Sequence, residues 1–412
     1  MKVFILLFIA FCSFTVSAQT NFPENFDTIN GYGRQLIVNG QFDVQSTSFK
    51  NEMLNKLVYG GYIDQEMKDR SFDKHGNINF AGIISNNDIT YFHGSDSLFG
   101  KGRWDWGVKA GYYALGSVKY GKDPFGLVFY GNEGYLGDTA FFTKTSLSFT
   151  RFQKVGFGLR DKVSGSYVFL NFVNVQDRFN GEITKGELFQ SADASEVKMK
   201  LLGDMSYTSG KQFSKGLGMS VDAAYRVKVP WVKGTQTVME VSVSNLGFAS
   251  INSPMHRYQA DSTYTFNGFR LNQLFGENSP FNRDDYSVLD SLGISHDSTY
   301  RHTVFLPGYI QAGKLIDYRS DKKLQSFFGI RLFPTLKSNS AVYIGAAYKP
   351  VKSVMLVASV NYGGLTTFRG GLVASYIADN FSISVGSDDI VGMFYSGGYG
   401  KSAYLRTVWN LD

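Results

Sequence analysis

Along the last third of the chain, apolar and polar positions alternate with a period of two, through one segment after another. This spacing predicts strands rather than helices. In SAVYIGAAY, Val342, Ile344, Ala346 and Tyr348 share a face, with Tyr343, Gly345 and Ala347 on the other. In SVMLVASVNY, Val354, Leu356, Ala358, Val360 and Tyr362 oppose Ser353, Met355, Val357, Ser359 and Asn361. FSISVGS sets Phe381, Ile383 and Val385 against Ser382, Ser384 and Gly386. The closing run YLRTVWNLD sets Leu405, Thr407, Trp409 and Leu411 against Tyr404, Arg406, Val408 and Asn410. Each run is about ten residues, the length of a tilted strand crossing a bilayer. Several carry an aromatic near an end, as an interfacial girdle does, and the opposite face is small and polar, as a lumen is. A soluble β-sandwich also alternates, but it would show a denser shared core and more proline at its turns.

Similar strands are predicted upstream at LPGYIQAGKLI, LQSFFGIRLF, TQTVMEVSVSNLGF, GLGMSVDAAYRV, EVKMKLLGDMSYT, SGSYVFLNFVNV, FTRFQKVGFGLR and RWDWGVKAGYYALGSV, with partners at TAFFTKTSLS and NINFAGIIS. The expected fold is all-β: a transmembrane antiparallel barrel of about 14 strands (roughly 12 to 16, and even in number) with a short N-terminal helical segment. The barrel is expected over 76–412, preceded by a segment at 19–75. There TSFKNEMLNKLVYGGYIDQEMKDR has helical spacing in Phe49, Met53, Leu54 and Leu57, broken at Gly60-Gly61. That helical pair reads as a plug in the lumen, a periplasmic cap, or a surface excursion. If the last strand ends in the periplasm, 318–323, 349–352 and 378–380 are short periplasmic turns. The long polar loop at 251–305 then faces outward, with a further hairpin around STYTFNGF.

The first twenty residues sharpen the compartment. Lys2, an apolar run over 3–14 and the small residues Val16-Ser17-Ala18 form a secretory signal peptide expected over 1–18. The single cysteine, Cys12, falls within it, and the bulky Phe11 before it disfavours a lipoprotein. Beyond it no stretch reaches the ~18 apolar residues of a membrane helix. The expected location is therefore the outer membrane of a Gram-negative cell, with outer-membrane lipid and the barrel-assembly machinery as partners. Glycine (45), tyrosine (25) and phenylalanine (36) are plentiful and proline (8) is scarce, a mix that suits strands with tight turns. The 41 basic and 35 acidic residues are scattered without a dense basic face, which excludes nucleic acid as a partner.

The order LVFYGN, GLGMSVDAAYRV, VMEVSVSNLGFASI, STYTFNGF, LPGYIQAGKLIDY resembles an uncharacterised outer-membrane β-barrel family of Bacteroidota, itself similar to FadL-type transporters. The resemblance covers most of the mature chain, and its motifs are mainly structural. It implies a fourteen-stranded wall and a channel or transporter for small or hydrophobic molecules, with a small hydrophobic ligand. The alternative it implies is a non-transport scaffold or accessory subunit for surface assembly or type IX secretion. Only the turn at Leu306-Pro307 with the loops before it, and Asp222 on an inward face, match the transporter pattern. The plug motif of those transporters has no counterpart after Gln19.

Enzyme chemistry finds no footing. SGGYGKS lacks the first glycine of a phosphate loop and leads into a strand, GFGLRD and GLGMSV lack the third glycine of a dinucleotide fingerprint, and no Gly-x-Ser-x-Gly elbow occurs. His75, His93, His256, His296 and His302 are far apart, so no metal or other cofactor is expected. The adjacent acids Asp284-Asp285 and Asp388-Asp389 read as solvated loop residues. Candidate lumen-lining residues are Lys109, Arg151, Asp222, Arg331 and Arg406, because an ionised side chain facing lipid near the midplane costs about 2 to 4 kcal/mol. Structural charge pairs are favoured for them over a selectivity filter. Trp409 and Leu411 are the expected assembly signal on the last strand.

Overall fold

The computed structural model describes residues 33–411 apart from 99, 232–235, 267–293, 301 and 318–319. The signal peptide expected over 1–18, Asp284-Asp285 and part of the polar loop lie outside the described residues. The chain runs β1 (Arg34–Ser46), α1 (Asn51–Tyr59), α2 (Gln65–Phe72), β2 (Asn79–His93), β3 (Trp104–Tyr120), α3 (Lys122–Phe129), β4 (Thr139–Phe141), β5 (Thr145–Asp161) and β6 (Tyr167–Gln190). It continues β7 (Val197–Thr208), β8 (Gly216–Pro230), β9 (Gln236–Ile251), β10 (Met255–Phe266), β11 (Ile294–Tyr300), β12 (Thr303–Phe305) and β13 (Tyr309–Lys314). It ends β14 (Leu324–Leu332), β15 (Ala341–Val351), β16 (Val354–Gly363), β17 (Phe368–Ile377), β18 (Phe381–Ser387), α4 (Ile390–Phe394) and β19 (Gly400–Asn410).

Fourteen of these strands close an antiparallel barrel in the order β1-β2-β3-β5-β6-β8-β9-β13-β14-β15-β16-β17-β18-β19, and β19 returns to β1. The seam is continuous from Gln35↔Asn410 to Gln45↔Gly400. A closed ladder leaves no wall strand with a bare edge, which is the condition for β-structure in a bilayer. The faces are inverted relative to a soluble protein. Val155, Phe157, Phe172, Ile344 and Val385 are each more than half exposed on the outside, whereas Lys154, Arg160, Asn171, Asp222 and Arg331 are 2 % exposed or less on the inside. Lipid is the solvent that such an outer surface fits.

The two edges of the barrel differ. β15 and β16 are joined by Lys352 and Ser353 alone, and β17 and β18 by 378–380, on the same edge as Arg34 and Asn410. The longest connections, 47–78, 121–144 and the stretch between β9 and β13, lie on the opposite edge, although 94–103 and 315–323 lie on this one, and short turns mark the periplasmic side of such barrels. The strand β1 corrects the expected N-terminal boundary, since it is part of the wall although it falls within 19–75. The helical pair α1–α2 joins β1 to β2 on the edge opposite the short turns. The chain has already crossed the wall once before reaching it. Asp64 caps α2 by accepting from the Met67 N–H at 2.8 Å, and Arg70 clamps Glu52 of α1 at 2.8 Å. Met53 packs with Tyr120 and Phe125, anchoring the pair to the end of β3 and to α3.

β6 is 24 residues long and changes partner along its length. Its first half pairs with β8 and its second half with β7, and β7-β10-β11 continues outward as an extension above the wall. Of the expected hairpin around STYTFNGF, 262–266 lie in β10, which pairs with β7 from Met255↔Thr208 to Phe266↔Val197, and 267–269 lie outside the described residues. A bulge at Gln176 divides the halves: Phe152 pairs with Val175, but Arg151 pairs with Asp177. The extra residue reverses which side chains face inward above it.

Candidate functional site

The interior is built in layers. At mid-height Lys154 Nζ lies 2.5 Å from Asp222 and 2.6 Å from the Asn245 side-chain oxygen. Lys109 lies 3.3 Å from Asp222 and 3.7 Å from Asp88, which also accepts from Asn39 at 3.1 Å. Two ammonium groups thus face two carboxylates, and the layer is neutral. The Lys154 ammonium also sits 4.4 Å from the Tyr113 ring centroid, a cation–π contact that adds to its anchoring. Asn245 occupies a bulge between β8 and β9 with φ +56°, and its backbone N–H donates to Asp222 at 2.8 Å. The cavities beside this network measure ≈ 20 and ≈ 30 Å³, about the share of one water each.

Further layers are paired in the same way. Toward the short-turn edge Arg160 holds Asp105 at 2.7 Å and Gln35 at 2.8 Å, and Arg226 holds Glu240 at 2.8 Å. Arg331 donates to Gln311 at 2.8 Å over the Tyr309 ring. Arg369 bridges Asp43 at 3.1 Å and Asp388 at 3.0 Å. Asp388 is fully buried and Asp389 caps α4 by accepting from Gly392 at 2.8 Å, so the adjacent acids are not solvated as expected. Burial without a partner would be prohibitive for either charge, and Arg369 is the reason Asp388 is tolerated.

Of the sequence candidates, Lys109, Asp222, Arg331 and Arg406 are buried inside the barrel. Arg151 is not. It shares the outward face of β5 with Val155 and Phe157, its side chain is 43 % exposed, and it pairs with Asp177, which Lys215 also holds at 2.7 Å. The inward position on that strand belongs to Lys154. The sequence carried the signal: Lys154, Gly156, Gly158 and Arg160 form the small and polar set, while Arg151 falls in step with Phe149, Val155 and Phe157. Trp409 pairs with Leu36 across the seam and packs on Phe381 at 5.5 Å between ring centroids. Leu411 is half-exposed, and its N–H donates to Arg34.

Above the charged layer the lumen is filled by side chains from the connections. Leu306 from the segment before β13, Leu336 from the β14–β15 connection and Leu365 from the β16–β17 connection join Ile84, Leu115, Phe152, Val175 and Ile251 of the wall in one apolar cluster. Thr335 fixes two of these segments to each other, accepting from the Gly308 N–H at 3.2 Å and donating to the Leu306 carbonyl at 3.1 Å. Gly82 makes room for Leu365, since a Cβ there would lie 2.8 Å from its Cδ1 and 2.4 Å from the Gly116 carbonyl oxygen. The Lys337 N–H donates to Ser117 Oγ on β3, across the mouth, at 2.9 Å.

Two larger cavities flank this filling. A vestibule of ≈ 290 Å³ opens toward the long-loop edge and is lined by Ser148, Thr150, Arg178, Asn180, His302 and Thr335 over a floor that includes Leu115, Val304 and Leu336. Burial, then the charges of Arg178 and Arg257, push the His302 imidazole below its ordinary value. At the short-turn edge a cleft of ≈ 530 Å³ lies between β8, β9, β13 and β14, lined among others by Arg226, Lys228, Trp231, Lys314 and Gln325. Lys314 donates to Ser326 at 2.9 Å there.

No family model matches the chain, and no curated protein matches it either. Solved structures similar to it include a Pseudomonas aeruginosa FadL homologue, 10% identical over 92% of this chain and 90% of that one, with a TM-score of 0.38. The Pseudomonas putida toluene transporter TodX is 9% identical over 96% and 94%, with a TM-score of 0.34. The translocator domain of the Neisseria meningitidis autotransporter NalP is 11% identical over 92% and 89%, with a TM-score of 0.33. Superpositions this loose say nothing of activity. The closed ladder and the inverted faces establish an outer-membrane type β-barrel.

Proposed function

We propose that this barrel is a gated, ligand-selective uptake protein rather than an open diffusion pore. The observation that carries the reading is the blind vestibule of ≈ 290 Å³ above a lumen filled largely by connections. Leu306, Leu336 and Leu365 stand on segments outside the wall strands, so they can withdraw without breaking the closed ladder. A solute entering from outside would meet the vestibule first and the apolar filling next. It would then pass a charge-neutral polar layer and reach the cleft at the short-turn edge. Conductance of refolded protein in a planar bilayer tests this. No steady current, together with solute-dependent uptake into proteoliposomes, is the expected result. A stable ohmic pore in the wild-type protein would overturn it.

A second reading, a surface scaffold or accessory subunit for secretion, is favoured by the extension β7-β10-β11, which stands beyond what a bilayer crossing requires. Retention of a protein partner by the intact barrel, lost when β10 and β11 are deleted, with no flux of any solute, would select it over uptake.

A further inference from the structure

Arg178, which is partly buried beside the vestibule, differs from the ion-paired cations of the lumen. Lys109, Lys154, Arg160, Arg226 and Arg369 each face a carboxylate within 3.7 Å. The Arg178 guanidinium donates to Thr150 Oγ1 at 3.0 Å, its Nε is buried with no hydrogen-bond partner, and among the described residues no carboxylate forms an ion pair with it. Its neighbour Asp177 points the other way, to Arg151 and Lys215, as consecutive residues of a strand do, and the bulge at Gln176 sets which of the two takes the inner side. A guanidinium left without a counter-ion beside an open cavity is costly, and an anion arriving there gains a charge-assisted and often bidentate contact.

The vestibule beside it supplies the rest of a polar site. Ser148, Thr150, Asn180, Thr303 and Thr335 line it with hydroxyl and amide groups, and His302 adds an imidazole. Its ≈ 290 Å³ is near the lower end of the ~300 to 1,000 Å³ typical of small-molecule sites. We propose that the vestibule is a binding site for a small hydrophilic anion, a phosphate monoester of about sugar size, with Arg178 holding the phosphoryl oxygens and the hydroxyl and amide groups reading the polar remainder. The proposal names the ligand class of the uptake reading and rests on it for its physiological meaning. The site departs from the small hydrophobic ligand that the family resemblance implies.

The test is equilibrium binding to the full-length, detergent-solubilised barrel, with inorganic phosphate and glucose 6-phosphate as probes and glucose as the neutral control. Saturable binding of both anions, tighter for the sugar phosphate and without competition from glucose, is expected. Arg178→Gln should weaken binding at least tenfold and Arg178→Lys only a few-fold. Asn180→Asp, which adds a negative charge to the vestibule without altering its shape, should also weaken it tenfold or more. Heat-modifiable migration establishes that each variant is folded, and Asn180→Asp keeps the test open if Arg178→Gln is not. Absence of anion binding by folded wild-type protein overturns the proposal. So does equal binding by Arg178→Gln, or equal affinity for glucose. Anion binding without flux in proteoliposomes would retain the site and sink uptake, whereas flux indifferent to Arg178 would do the reverse.

Discussion

Single residues inside this barrel are constrained by what faces them. Removing the carboxylate of Asp222 leaves Lys109 and Lys154 sharing Asp88 alone, and stranding one partner of a buried pair costs about 3 to 5 kcal/mol. Asp222→Asn should therefore lower the urea midpoint of the refolded barrel sharply. Adding Lys154→Met should restore part of that loss, because the excess charge leaves with it. Full additivity of the two changes would sink the account. His75, in the excursion between β1 and β2, gives a pH-dependent case. Burial pushes its imidazole down to about 4; the charge of Lys122 adds to this, and the bond to the Ser71 carbonyl opposes it. Its other nitrogen sits 3.0 Å from the Tyr120 hydroxyl, which therefore donates to it. Between pH of about 6.5 and about 4 the unfolded excursion binds a proton that the folded one does not, so its stability falls as pH falls through that window. Protection factors for amide exchange in α1 and α2, corrected for the intrinsic pH dependence of exchange, should fall from pH of about 6.5 to about 4.5, and His75→Gln should flatten that profile.

At the scale of the strand, position along the wall decides what a charge costs. Arg151 lies on the outer face of β5 but is paired with Asp177, at the level where β6 leaves β8 for β7. Val155, four residues further along the same face, is exposed in the apolar belt. Val155→Arg should destabilise the barrel in vesicles by about 2 to 4 kcal/mol, read from its urea midpoint, while Arg151→Leu should cost far less. The seam makes a comparable demand, since Trp409 packs on both Leu36 and Phe381. Trp409→Asp should lower the yield of heat-modifiable barrel in cells, and an unchanged yield would remove Trp409 from assembly. Strand parity was legible where the ladder is regular. The outward set Val342, Ile344, Tyr348, Leu356, Val360 and Tyr362 is exposed as its alternation predicts, and Met355, Val357 and Asn361 are buried. It was illegible in β6 and β9, where bulges at Gln176 and near Asn245 reverse the count within one strand. A period of two carries no mark of such a slip. Arg178 was missed for that reason, and Arg151 was misplaced because a charged residue was assumed to face the lumen.

For the whole molecule, wall and filling are made by different parts of the chain. The wall was readable because each strand crosses the membrane under the same rule. The filling was not, because Leu306, Leu336 and Leu365 sit in short connections whose destination depends on the far side of the barrel. The glycines and hydroxyls that receive them, at Gly82 and Thr335, look like ordinary turn and strand residues in sequence. If these leucines gate the lumen, Leu336→Gly with Leu365→Gly should raise the permeability of proteoliposomes to small solutes while leaving heat-modifiability intact. Unchanged permeability in a folded double variant would place the barrier in the charged layer below.

The one-residue bulge at Gln176 is, in effect, a sorting device. Below it β6 turns Phe172 to lipid, and above it the same strand sends Asp177 outward and Arg178 inward. Deleting Gln176 would leave both addresses as they are, because Val175 inward and Asp177 outward would then alternate regularly; sliding the upper half of β6 one residue along β5, so that Gln176 pairs with Arg151, would instead exchange them. The carboxylate would go to the vestibule and the guanidinium to the outer surface beside Arg151. A molecule altered in that way would keep its wall and lose the sign of its entrance.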